Sequence, residues 1–167
     1  MTYKVLRLSS LIFYILFGLV WPCWGQTELL GVELARGIVN RAPIRPYSPG
    51  VFCEKDKNRN APLPVISATT DHQVVFWNRV TAEKPTTFHH KWLKKTADGW
   101  EPMANIPLKV EKSSSFRIWS TKEIHPKLHL GEWMIVVSSG DDPKDVLCIA
   151  RFIVEQSLNT NTASRSR

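Results

Sequence analysis

Five histidines, two of them adjacent, are the side chains of this sequence best suited to chemistry. His89 and His90 stand together in TTFHHKWLKK, and His72, His125 and His129 complete the set. Imidazole is both the commonest metal ligand and the usual general base near neutral pH. In HPKLH, His125 and His129 would share one side of a helical turn, a chelating spacing, and Pro126 is acceptable at a first helical position. Cys53 and Cys148 are the other soft ligands on offer. Yet Pro126 and Gly131 crowd the histidine segment, no Asp or Glu sits in a supporting position, and neither H-E-x-x-H nor C-x-x-C occurs. These histidines read as surface loop residues, so no metal and no other cofactor is expected.

Nucleophilic catalysis needs a base within reach of the nucleophile and a third group to orient it. Ser120, His90 and either Asp141 or Asp142 can be drawn as such a triad, which would make the protein a small envelope hydrolase. No G-x-S-x-G elbow supports that drawing. Glu101, Glu111, Glu123 and Glu132 are the carboxylates open to glycoside hydrolysis, and they follow no pattern. No catalytic residue is assigned. A binding constellation of His90, Trp92, Arg117, Trp119, Ser120 and Lys122 is the sharper hypothesis. In it a guanidinium stacks on Trp92 or Trp119 and offers its fork to a carboxylate or phosphate. The architectural alternative, which is preferred, has Arg117 paired with a carboxylate or carbonyl of the chain itself and His90 donating to backbone, together knitting two sheets.

The elements that must position these residues are strands. Alternation of apolar and polar residues at period two recurs over residues 32–40, 73–80, 87–94, 106–111, 116–120, 132–138 and 146–155. TAEKP, TADGW, KSSS, HPKLHLG and SGDDPKD separate the later runs with the Gly, Pro, Asp and Ser that turns require. RAPIRPYSPG cannot be a central strand, and the polar stretch up to Pro64 reads as a loop. A single helical turn fits between residues 122 and 130. The fold class is all-β: an antiparallel β-sandwich of immunoglobulin-like size with about seven to eight strands, a partly closed barrel being the competitor.

Neighbours on a strand point to opposite faces. His89 and His90 therefore diverge and cannot hold one ion between them. Phe88, His90 and Trp92 share a face; so do Arg117 and Trp119, with Phe116, Ile118 and Ser120 on the reverse. Burying a tryptophan removes about 150–250 Å² from water, worth roughly 4–6 kcal/mol. Trp133 and one or both of Trp92 and Trp119 are expected in the core, leaving Trp77 and Trp100 the more exposed rings.

In this order and spacing, His90-x-Trp92, Arg117-x-Trp119-Ser120-x-Lys122, Pro126 and Gly131-x-Trp133, followed by a last strand with Leu147 and Phe152, resemble the bacterial domain of unknown function catalogued as number 2914. RGIVNRAPIRP resembles that family's opening, so the likeness spans about residues 34–154. It implies an all-β domain of exported or membrane-attached bacterial proteins and implies no activity or substrate. The insert over residues 47–70, carrying Cys53, departs from the family pattern.

Lys4 and Arg7 precede an uncharged apolar run from Leu11 to Trp21, and Pro22, Cys23 and Gly25 follow, the order of a secretory signal peptide. The run is about 11 residues against the roughly 20 that span a bilayer. Residues 1–25 are expected to be cleaved, leaving a β-sandwich domain over 26–155, a disordered tail over 156–167 and no membrane span. An uncleaved signal anchor and lipidation at Cys23 are the alternatives. Cleavage would lower the formal net charge from +7 to +5, because two basic and no acidic side chains leave with the segment. In an oxidising compartment Cys53 and Cys148 can form a bridge; two unpaired thiols are the alternative, since Cys148 sits in a run that reads as a buried strand. Lys and Arg are interleaved with Asp and Glu and show no platform for bases, so no nucleic-acid partner is expected. The expected role is an exported, non-catalytic module in the periplasm or outside the cell that binds or supports an envelope protein or an anionic glycan, the latter through Trp77 or Trp100.

Overall fold

The computed structural model describes residues 27–48, 50, 53, 62–140 and 145–156. The expected signal segment, the expected tail after Gln156, and Asp141 and Asp142 lie outside them. The described residues form nine strands: β1 (Leu29–Val39), β2 (Ala42–Pro46), β3 (Val65–Ser67), β4 (Gln73–Ala82), β5 (Thr86–Thr96), β6 (Gly99–Val110), β7 (Ser113–Glu123), β8 (Gly131–Ser139) and β9 (Val146–Glu155). They make two sheets, one in the order β2-β1-β4-β7 and one in the order β3-β9-β8-β5-β6. All neighbours are antiparallel except β3 and β9. The all-β sandwich expected from the alternation is therefore the observed architecture. No helix of the described residues is long and apolar enough to cross a membrane.

Seven strands coincide with the alternating runs, and β2 and β3 are additional. Pro43 and Pro46 confine β2 to an edge, where it bonds β1 alone. β6 starts at Gly99, earlier than the alternation suggests, because Pro102 and Pro107 interrupt the pattern. Both prolines are tolerated because β6 is the other sheet's edge and pairs only with β5. The β1–β2 turn is the two-residue type that matches strand twist, with φ of 51° at Asn40 and 63° at Arg41.

Side chains of the two inner faces meet in one core. Leu34, Phe76, Val80 and Ile118 come from one sheet; Phe88, Trp92, Trp133, Ile135, Val137 and Phe152 come from the other. Trp133 stacks on Phe152 with ring centroids 6.3 Å apart, and Trp92 meets Phe152 edge-on at 6.2 Å. Cys53 and Cys148 are joined in a disulfide that ties the segment before β3 to the inner face of β9.

At the side of the sandwich formed by β1 and β2, Arg36 is held from three directions. Its Nε donates to Asp71 Oδ1 at 2.8 Å, its Nη1 to Arg45 O at 3.5 Å, and its guanidinium lies 4.3 Å from the Tyr47 ring centroid. This grip helps to hold Arg45 at a φ of 50°, a left-handed conformation costly for a non-glycine residue. Burial, and next the charge of Asp71, push the Tyr47 phenol well above its ordinary pKa. Asp71→Asn is expected to cost about 1–3 kcal/mol in urea unfolding, because the nearly buried carboxylate also accepts from Ser67 N.

Candidate functional site

Strand register decides which candidate residues meet. On β5, His90 pairs with Ile106 of β6 and Val137 of β8, and Val137 pairs with Cys148. Across the sandwich, Leu34, Phe76 and Ser120 form the corresponding row on β1, β4 and β7. The two rows meet: the His90 and Phe76 rings lie edge to face with centroids 5.1 Å apart. His90 Nδ1 is 2.8 Å from Ser120 Oγ, and Trp92 Nε1 donates to the same oxygen at 3.0 Å. Since Ser120 Oγ already accepts from Trp92, its own proton is best placed on His90 Nδ1, which puts the imidazole proton on Nε2.

This is a serine and histidine in hydrogen-bond contact, but the far ring nitrogen, where a triad has its carboxylate, is unpartnered among the described residues, and the indole bonds the serine oxygen instead. His90 and Trp92 are both fully buried and Ser120 is nearly so. Burial drives the His90 pKa down to about 3, so the ring is neutral at physiological pH. Its Nε2 and both amide atoms of Asn78, two residues from Phe76 on the same face of β4, are buried with no hydrogen-bond partner among the described residues. The arrangement serves to anchor one sheet to the other: Ser120 of one accepts from Trp92 Nε1 and donates to His90 Nδ1 of the other.

The remaining members of the proposed constellation lie elsewhere. Arg117 and Trp119 are on the reverse of β7, on the outer face of the four-stranded sheet. Lys122 shares the inner face with Ser120 but sits farther along, its Nζ 5.1 Å from the Trp133 ring centroid, and its pKa is lowered by desolvation. The six residues are thus three places rather than one site. His89 points away from His90, with Nδ1 3.3 Å from Asn105 Oδ1. At the β7–β8 turn, His129 Nδ1 accepts from His125 N at 2.9 Å, and His125 Nδ1 accepts from Lys127 N at 3.3 Å. Each imidazole thereby spends one nitrogen on backbone. Desolvation first, then the charges of Lys122 and Lys94, lower the His129 pKa. His72 is exposed just before β4, and among the described residues no group of three or more His, Cys, Asp or Glu is placed to hold a metal. Glu132 is held by Lys95 at 3.0 Å and Arg151 at 3.3 Å, which keep its pKa low. Glu101, Glu111 and Glu123 are exposed on β6, on the following turn and at the end of β7.

One tryptophan needs correction. Trp77 is only 9 % exposed, because the β1–β2 turn lies against it and Arg41 O accepts from its Nε1 at 3.1 Å. Of Trp92 and Trp119, one or both expected in the core, Trp92 is there and Trp119 is half-buried on the outer face, directly opposite Trp77. Trp92 and Trp133 are fully enclosed, and Trp100 is half-buried with the Arg151 guanidinium 5.8 Å from its ring centroid. Sequence reasoning also missed Arg41 and Arg79. Arg79 is the cross-strand partner of Arg117, and the Arg41 guanidinium lies 5.3 Å from the ring centroid of Phe116. The parity of Arg79 with Trp77 was readable; its place beside Arg117 depends on strand order.

The fold and these contacts define an all-β sandwich with a sealed polar centre and an arginine-bearing outer sheet. Residues 85–154 match the family model described as Protein of unknown function (DUF2914). The resemblance carried by His90-x-Trp92, Arg117-x-Trp119-Ser120-x-Lys122 and Gly131-x-Trp133 therefore holds over that stretch, which takes in β5 to β8 and nearly all of β9. The arginine- and proline-containing opening in β1 and β2 and the insert with Cys53 precede it. No curated protein matches the chain.

Proposed function

We propose that the protein is an exported, non-catalytic β-sandwich module that binds or supports a partner in the bacterial envelope. The observation that carries the non-catalytic part is the enclosure of His90 and Ser120. A hydrolase needs its nucleophile at a surface that substrate can reach and a base that can take a proton near neutral pH. Here the hydroxyl lies between two rings inside the core, no carboxylate completes the group among the described residues, and the imidazole remains deprotonated until about pH 3. The disulfide supports the exported part, since such bonds persist in oxidising compartments. The charged segment and apolar run ahead of Pro22 support it as well.

Two measurements test this reading. N-terminal sequencing of the protein recovered from an envelope or secreted fraction is expected to begin at Gln26; recovery only from cytosol overturns export. Ser120→Ala and His90→Ala are expected to lower unfolding free energy by about 1–3 and 2–4 kcal/mol respectively, through lost hydrogen bonds and packing. Neither should change turnover of ester, peptide or glycoside probes. Turnover by the native chain that disappears in folded Ser120→Ala would make the protein a hydrolase.

A further inference from the structure

We infer that the outer face of the four-stranded sheet is a binding surface for an acidic polysaccharide, read by Arg41, Arg79, Arg117 and Trp119. This assignment rests on the binding-module reading and names the chemistry of the partner. Arg79 and Arg117 are directly opposed on β4 and β7. Like charges in register on one face repel, and folds ordinarily place a carboxylate between or beside them. Among the described residues no carboxylate comes within 4.0 Å of either guanidinium, nor of Arg41. The third position of the row is Gly31, paired with Arg79 on β1, where an added Cβ would lie 3.8 Å from Trp77 and 3.9 Å from Arg79. The floor beside the two arginines is therefore low. Of the acids that share this face, Glu33 is in register with Trp77 and Glu123 with Gln73, neither with the arginines.

The hairpin turn brings the Arg41 backbone to this face, where its carbonyl accepts from Trp77 Nε1, while its guanidinium lies over Phe116, a residue of the opposite face of β7, so Arg41 stands at the rim of the surface. All three arginines are exposed, and Trp119 beside them is half-buried. A guanidinium fork suits carboxylate or phosphate, and an indole face packs on the C–H face of a pyranose. The described pockets, lined by residues such as Lys84 and Lys109 or Arg36 and Asp71, lie elsewhere. A flat sheet face with spaced cations suits a polymer laid across it. Single-stranded nucleic acid, the other anionic polymer that tryptophan and arginine can hold, wants successive stacking platforms. Trp77 is covered, which leaves Trp119 as the single open ring of the pair.

The test is titration calorimetry of the whole chain with oligogalacturonate, a phosphomannan, neutral dextran and oligodeoxythymidylate, at two salt concentrations. Binding to oligogalacturonate or the phosphomannan is expected, weakened by salt, with dextran silent; the stronger of the two identifies carboxylate or phosphate as the group recognised. Arg79→Gln and Arg117→Gln should each weaken binding about tenfold, and Trp119→Leu several-fold. Removing equal charge at Lys84 and Lys109 together should change it less than twofold. Arg79→Gln should also raise Tm rather than lower it, because one of two opposed charges is gone. Equal losses from the lysine and arginine substitutions, tighter binding of oligodeoxythymidylate, or no binding of either acidic glycan overturns the assignment. The binding-module reading fails separately, on the Ser120→Ala turnover assay and the fractionation.

Discussion

Removing the Cys53–Cys148 bridge is expected to lower the unfolding free energy by about 4–5 kcal/mol in the chain-entropy account, because the bond closes a loop with a sequence separation of 95. Domains of this size have about 5–15 kcal/mol in all, so the reduced protein would sit close to its unfolding threshold at 37 °C. The location of the bond makes the effect structural as well as entropic. Cys148 is fully buried in the row that continues through Val137 to His90, and Cys53 is 8 % exposed. Reductant should therefore act slowly on the native state, where both half-cystines are shielded, and quickly in urea. Urea unfolding of the oxidised chain against the Cys53→Ala/Cys148→Ala double variant measures the difference without leaving a reactive thiol. A difference below about 1 kcal/mol would mean that the segment with Cys53 is already restrained by other contacts, and that the bond contributes little to stability.

What was legible in the sequence follows from the range of the physics involved. Pleating acts between adjacent residues, so the divergence of His89 and His90, and of Arg117 and Ser120, could be read from TTFHHKWLKK and FRIWS alone. Pairing and covering act over long range. Nothing local says that β4 lies between β1 and β7, which is what sets Arg79 beside Arg117 and Trp77 beside Trp119. The burial of Trp77 depends on a turn 36 residues earlier in the chain, and no window over residues 73–80 contains that fact. The same limit explains why one contiguous motif misled: Arg117, Trp119, Ser120 and Lys122 are close in sequence, yet the pleat divides them between solvent and core. The two prolines of β6 hid half of a strand for a related reason, since their tolerance depends on β6 being an edge.

Acid is expected to destabilise the fold through His90 at pH values where most carboxylates are still ionised. In the unfolded chain an imidazole titrates near pH 6.5, whereas burial holds His90 deprotonated until about pH 3 in the folded protein. Between those values the unfolded state binds one proton more than the native state. Stability therefore falls as pH falls, by about 1.4 kcal/mol per unit, and is unaffected by this group above pH 6.5. The loss should reach roughly 2–3 kcal/mol at pH 4.5. His129, whose pKa is also lowered, acts in the same direction, and its partial exposure makes its share smaller. Glu132 adds its own loss only at lower pH, once Lys95 and Arg151 can no longer keep it ionised. Urea unfolding at pH 7.5, 6.5, 5.5 and 4.5 should show this slope in the native chain, nearly unchanged in His129→Gln and largely flattened in His90→Gln, even though the latter begins less stable at pH 7.5. If His90→Gln keeps the full slope, His90 is reachable by protons in the folded state. The core would then be open to water, and Ser120 would be a candidate nucleophile again.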